Sequence, residues 1–126
     1  MKKLLVLLLI SINFSAIAEW KYISENVNGA DYYVDFEKIS KQGENIYFWY
    51  LTDYSKRDKF GDFSNIGKSR GNCTRMGHQW MQVYYYSAPM GKGKINASDA
   101  ELSAWKYPPP NSIMETVLKS VCDYVN

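Results

Sequence analysis

Two cysteines, one histidine and a few clustered carboxylates are the residues of this 126-residue sequence best suited to bond-making chemistry. They are too few and too scattered for most of it. A structural zinc site needs four thiolate or imidazole ligands, and an iron–sulfur cluster needs several thiolates. Cys73, Cys122 and His78 supply neither set. His78 follows Gly77 with no Cys or carboxylate at metal spacing, and it reads as an exposed or locally hydrogen-bonded side chain. Asp53, Asp58 and Asp62 do not match a calcium-binding loop. Met90-Gly91-Lys92-Gly93-Lys94 has neither the GxxxxGKS/T spacing nor the strand-to-helix setting of a phosphate cradle, so it reads as a hairpin turn. No catalytic, cofactor-binding or metal-binding residue is assigned, no cofactor is expected, and the expected function is non-enzymatic. An enzyme built on Tyr and Asp side chains would need a pocket holding two strongly perturbed titratable groups.

The chemistry open to the cysteines depends on the compartment. Lys2-Lys3, an apolar run from Leu4 to Ile12 broken by Ser11, and Ala16-Ile17-Ala18 form the pattern of a signal peptide cut after Ala18. The run falls short of the ~20 residues of a membrane span. No Cys follows the cut, so the lipoprotein route is closed. Residues 1–18 are expected to leave, and 19–126 to form one exported domain. Both cysteines then lie in an oxidising compartment, where Cys73 and Cys122 are expected to pair and to stabilise the fold by about 4 kcal/mol. A redox role is the alternative, but there is no C-x-x-C. Without Lys2 and Lys3, thirteen basic residues face thirteen acidic ones. Bulk attraction to nucleic acid or anionic lipid is therefore not expected.

The elements that would hold these residues begin with the C-terminal helix. Pro108-Pro109-Pro110 prevents helix up to that point, and Ser112 with Glu115 forms a capping box. Met114, Val117, Leu118, Val121, Cys122 and Val125 then fall on one apolar stripe of about thirteen residues. The disulfide would pin that stripe onto whatever carries Cys73. Upstream, runs rich in Tyr, Trp, Phe, Ile and Val between turn residues predict strands over 20–24, 31–35, 45–54, 65–70 and 79–87, with a weaker sixth over 94–97. The short connections at 25–29 and 41–44 suit antiparallel neighbours. The fold class is α+β, an antiparallel sheet of five to six strands with the amphipathic helix packed on one face.

Two strands are apolar on both sides. Ile46, Phe48 and Tyr50 oppose Tyr47, Trp49 and Leu51, while Met81, Val83 and Tyr85 oppose Trp80, Gln82, Tyr84 and Tyr86. One helix covers one face. Either loops and the 105–110 segment cover the second, or its Tyr and Trp rings form an interface for a protein ligand or a second copy. Lys56-Arg57-Asp58-Lys59 and then Lys68, Arg70 and Arg75 are the basic concentrations. Lys68 and Arg70 share one face of a strand, either guarding a sheet edge against aggregation or attaching acidic segments of a partner. Asn72-Cys73-Thr74 and Asn96-Ala97-Ser98 match the glycosylation sequon, which matters only in a eukaryotic secretory route. Tyr47, Trp49, Tyr84, Tyr86, Lys68, Arg70 and Arg75 are thus the candidate protein-binding residues.

Several of these motifs recur in one order. Trp20; Gly29-Ala30-Asp31-Tyr32-Tyr33-Val34-Asp35 and Ile39; Ile46-Tyr47-Phe48-Trp49-Tyr50 leading to Asp53-Tyr54; Lys68-Ser69-Arg70 before Cys73; Tyr86-Ser87 with Met90-Gly91-Lys92-Gly93; Trp105; and Pro110-Asn111-Ser112 with Glu115 and Val121-Cys122 follow one another. This succession resembles the surface-adhesin protein E family of small exported bacterial proteins. The resemblance implies an antiparallel sheet with helix, often dimeric, in the bacterial envelope, and binding to host matrix and serum proteins. The chain departs from the pattern in having no lipid-anchor Cys, which favours a periplasmic or released form over surface display. The expected function is an adhesin-like protein-binding module whose partner is a host matrix or envelope protein. The alternative is a periplasmic structural or assembly protein whose aromatic face serves its own homodimer. No family residue for host binding is carried over.

Overall fold

The computed structural model describes residues 18–126; the leader reading therefore lies, but for Ala18, outside the described residues. Seven strands precede one helix: β1 (Lys21–Glu25), β2 (Asp31–Val34), β3 (Ser40–Gln42), β4 (Asn45–Asp53), β5 (Ser64–Asn72), β6 (Gly77–Ala88), β7 (Lys92–Asp99) and α1 (Ile113–Val125). Every pairing is antiparallel, in the order β1-β2-β4-β5-β6-β7, with β3 beside β4. The expected sheet and helix are present.

The strand not expected is β3. Residues 41–44 read as a turn, but Ser40 to Gln42 already pair with Tyr47 to Asn45, and only Gly43 and Glu44 remain in the loop. Gly43 has a φ of 61°, the left-handed conformation such two-residue loops require. Both β2 and β3 pair with β4, at opposite ends of it, and the single 3-10 turn Phe36–Lys38 joins them.

The helix forms as its sequence dictates. Ser112 Oγ accepts from the Glu115 N–H at 3.3 Å. Glu115 reaches one residue beyond the expected box, its Oε1 accepting from the Asn111 N–H at 3.1 Å. It also pairs with Lys119 at 3.1 Å, and the Asn111 bond and then Lys119 hold its carboxyl below the usual range. Val117, Leu118, Val121 and Cys122 are buried against Val34, Ile46, Phe48 and Tyr50. Cys73, just beyond β5, is bonded to Cys122 with the Cα atoms 5.7 Å apart, an ordinary disulfide separation. Thirteen helical residues are about 20 Å long and ~10 Å wide. Six strands at ~4.8 Å spacing are about 24 Å across. The helix therefore leaves part of its own face of the sheet uncovered.

Candidate functional site

Directly opposed residues of neighbouring strands share a face. Tyr47 lies opposite Arg70, and Arg70 opposite Gln79; Trp49 lies opposite Lys68, and Lys68 opposite Gln82; Leu51, Ile66 and Tyr84 align next, then Asp53, Ser64 and Tyr86. All of these stand on the face away from the helix. Six of the seven candidate binding residues, Tyr47, Trp49, Tyr84, Tyr86, Lys68 and Arg70, are therefore brought onto one surface. Arg75 is not; it is exposed in the turn between β5 and β6, its N–H bonded to Asn72 Oδ1 at 2.9 Å.

Two expectations need correction. Lys68 and Arg70 do not guard an edge, because β5 is paired on both sides. Trp80 does not join Tyr84 and Tyr86. The register slips by one residue at Met81, so that Ser69 opposes Trp80 while Lys68 opposes Gln82. Such a bulge reverses the alternation beyond it. Trp80 thus lies on the helix side, where Lys106 Nζ sits 5.0 Å from its ring centroid.

The basic groups on the face rest on its rings. Lys68 Nζ lies 5.8 Å from the Tyr47 centroid and 5.7 Å from that of Trp49. The Arg70 guanidinium lies 5.4 Å from the Trp105 ring and donates from Nε to Gln79 Oε1 at 2.9 Å, with a second bond from Nη2. Gln79 Nε2 in turn donates to the Ser103 carbonyl at 2.9 Å. This chain of bonds fixes the 103–106 segment along β6, where His78 and Lys106 exchange backbone bonds of 2.9 and 2.8 Å. The 105–110 segment thus reaches the face through Trp105 and, at its end, through Tyr107, whose ring lies over Gly77. Among the described residues no carboxylate lies within ion-pair distance of Lys68 or Arg70; the ion pairs there are Lys38–Asp35 and Lys119–Glu115. Further along, Trp20, Trp49, Ile66, Tyr84 and Tyr86 enclose a cavity of about 260 Å³ together with Ala18, Asp35 and Lys38. Burial first, and then the neighbouring Tyr84, raises the Tyr86 hydroxyl above its usual range.

His78 is buried rather than exposed, its ring edge-on to Trp80 at 5.5 Å and its Nδ1 without a partner. Burial, with the Lys106 charge adding to it, holds its pKa down. Among the described residues no group of three His, Cys, Asp or Glu side chains could hold a metal. No helix there is long and apolar enough to cross a membrane.

A second concavity was not anticipated. On the helix side a cleft of about 740 Å³ is walled by Tyr32, Tyr50, Tyr54, Asn65 and Tyr85, with Asp99, Glu101 and Met114 at its margins. Burial raises the Tyr50 and Tyr54 hydroxyls; for Tyr54 the Asn65 amide, which donates to its Oη at 2.6 Å, offsets part of the rise. Both remain neutral donors at physiological pH, so the cleft offers hydrogen bonds and ring faces rather than a nucleophile. Its tyrosines come from β2, β4 and β6 and from the residue after β4. The pairing Tyr32–Thr52–Asn65–Tyr85 that gathers most of them has no signature in the linear sequence.

Residues 20–123 match the family model described as surface-adhesin protein E. The chain belongs to the surface-adhesin protein E family. Structures of Haemophilus influenzae protein E share its fold. One, from a second crystal form, aligns with a TM-score of 0.64 at 18% identity, covering 87% of this chain and 95% of that one. Another gives 0.66 at 16% identity, covering 85% and 86%. Protein E from non-typeable Haemophilus influenzae gives 0.56 at 17% identity, covering 87% and 79%. No curated protein matches the chain. At these identities the likeness to protein E is one of fold, and the face and the cleft described above are read from this chain's own residues. Membership of a surface-adhesin family implies an exported or surface protein.

Proposed function

We propose that this chain is a non-enzymatic, exported binding module of the bacterial envelope, released from its leader after Ala18, that holds a protein partner on the helix-free face of its sheet. The partner is a host matrix or envelope protein, and the contact residues are Tyr47, Trp49, Tyr84, Tyr86, Lys68 and Arg70. The observation that carries this reading is the convergence of four aromatic rings and two basic side chains on one surface where, among the described residues, no carboxylate lies within ion-pair distance of Lys68 or Arg70. Rings with polar tips supply contact area at low entropic cost. The cations over them select acidic segments. Glu19, in place of a lipid-anchor Cys after Ala18, supports a periplasmic or released form.

The test is surface plasmon resonance of the exported protein against immobilised matrix glycoproteins and envelope extract. Saturable binding is expected, with Lys68→Ala and Arg70→Ala slowing association and flattening its salt dependence. Absence of saturable binding to either surface would remove the proposal.

A further inference from the structure

The aromatic face holds one buried charge that the binding reading does not use. Asp35, the residue after β2, is 1% exposed. Its Oδ1 caps the 3-10 turn, accepting from the Glu37 N–H at 3.2 Å, but its Oδ2 is buried with no hydrogen-bond partner. The Lys38 ammonium is 3.9 Å away, on a side chain 43% exposed. A carboxylate so enclosed is costly unless donors reach it. The cavity it lines is bounded on the same side by Ala18 and Trp20. Trp20 and Asp35 adjoin the last paired residues of β1 and β2, Lys21 and Val34, and both line the cavity. Ala18, two residues back, falls on the same side again. The nitrogen of Glu19 lies between them.

We infer that Asp35 is a receptor for a primary ammonium group, and that its ligand is the chain's own α-amino group, created at Glu19 when the leader is cut after Ala18. The inference rests on the leader reading proposed above. Hydrolysis of the Ala18–Glu19 peptide bond consumes one water: Ala18 leaves as a carboxylate, and Glu19 keeps an ammonium with three N–H donors. Before the cut that nitrogen has a single N–H and no charge. After it, the departure of Ala18 opens the cavity, and the ammonium adds the hydrogen bond that Lys38 Nζ, 3.9 Å from the Asp35 Oδ2, does not make. The pair fastens Trp20 where it already stands, among Trp49, Tyr84 and Tyr86, so maturation locks this corner of the aromatic face.

The test uses the full chain, expressed with its leader in an exporting bacterium and purified from the envelope, as parent, as Asp35→Asn, and with a Ser-Gly insertion between Ala18 and Glu19. Mass spectrometry of the parent should find Glu19 first. Its α-amine should acylate at neutral pH about tenfold more slowly than that of Asp35→Asn, since an ion pair withholds the free amine. Asp35→Asn should lower the melting temperature by roughly 5 °C in the parent and by much less in the inserted chain, whose terminus is displaced. Equal acylation rates, or equal melting losses in both backgrounds, overturn the site. A mature chain that begins elsewhere overturns the leader reading and the inference with it. If Asp35→Asn does not fold, the inserted chain decides: its α-amine should react about tenfold faster than the parent's, and an unchanged rate overturns the proposal.

Discussion

Removing the Cys73–Cys122 bond should change the stability of this domain more than any single surface substitution. The two cysteines are 49 residues apart. In the chain-entropy account, freeing a loop of that length returns to the unfolded chain about 4 kcal/mol of conformational freedom at 25 °C. The loop runs from the turn after β5, through β6, β7 and the 100–112 segment, to the last turns of α1, whereas the core residues that α1 packs on, in β2 and β4, lie outside it. Cys122 lies in the core beside Val121 and Leu118. The double change Cys73→Ala, Cys122→Ala therefore also leaves a small void under the helix. For a domain of this size the loss corresponds to a fall in melting temperature of roughly 15–20 °C. The assay is thermal unfolding by circular dichroism, comparing the oxidised parent, the parent with reductant and the double variant, with urea titrations to convert midpoints to free energy. The reduced parent and the double variant should agree to within the effect of the void. A loss of less than about 1 kcal/mol in both would refute the reasoning, because the helix would then be held by its apolar stripe alone.

Other outcomes follow from single residues. Leu118→Ala, at a fully buried side chain in the core, should cost 2–5 kcal/mol by denaturant titration; a cost below about 1 kcal/mol would mean that α1 does not dock as described. Gly67→Ala would set a methyl group 2.5 Å from Tyr50 Cζ and Oη, and should destabilise by about 1–3 kcal/mol while disturbing the tyrosine cleft, seen as a change in near-ultraviolet dichroism. His78 should make the domain acid-sensitive. Burial and Lys106 keep the folded imidazole neutral, whereas the unfolded one takes up a proton near pH 6.5, so stability should fall as pH drops below about 6.5 and His78→Gln should flatten that slope. A melting temperature that rises between about pH 7 and pH 5.5 would contradict this account.

What was legible in the sequence was local. The helix is written in Ser112, Glu115 and the 3–4 spacing of Val117, Leu118, Val121 and Cys122, all within one element. The disulfide needed only the compartment and the even count. Strand β3 was missed because Ser40, Lys41 and Gln42 are all polar and exposed, with no inside–outside contrast to announce a strand. Strand order is set by long-range pairing, so β5 could not be told from an edge and Lys68 and Arg70 could be read as guards. The slip at Met81 arises from how β6 meets β5, and period-2 alternation, applied without it, assigned Trp80 to the wrong wall. That Tyr47, Trp49, Lys68 and Arg70 share a face is legible because they alternate cleanly on two regular strands. The cleft was not found, because Tyr32, Thr52, Asn65 and Tyr85 meet only when four strands align.

That single extra residue in β6 acts as a phase shifter. Excising Met81 would restore strict alternation across the hairpin and leave each residue its present partner and face, with His78 and Trp80 still on the helix side and Gln79 still holding Arg70 and Ser103. Loss of that one codon should thus spare both sides of the molecule and remove only the local kink and extra twist, and conservative replacement of Met81 itself should pass almost unnoticed.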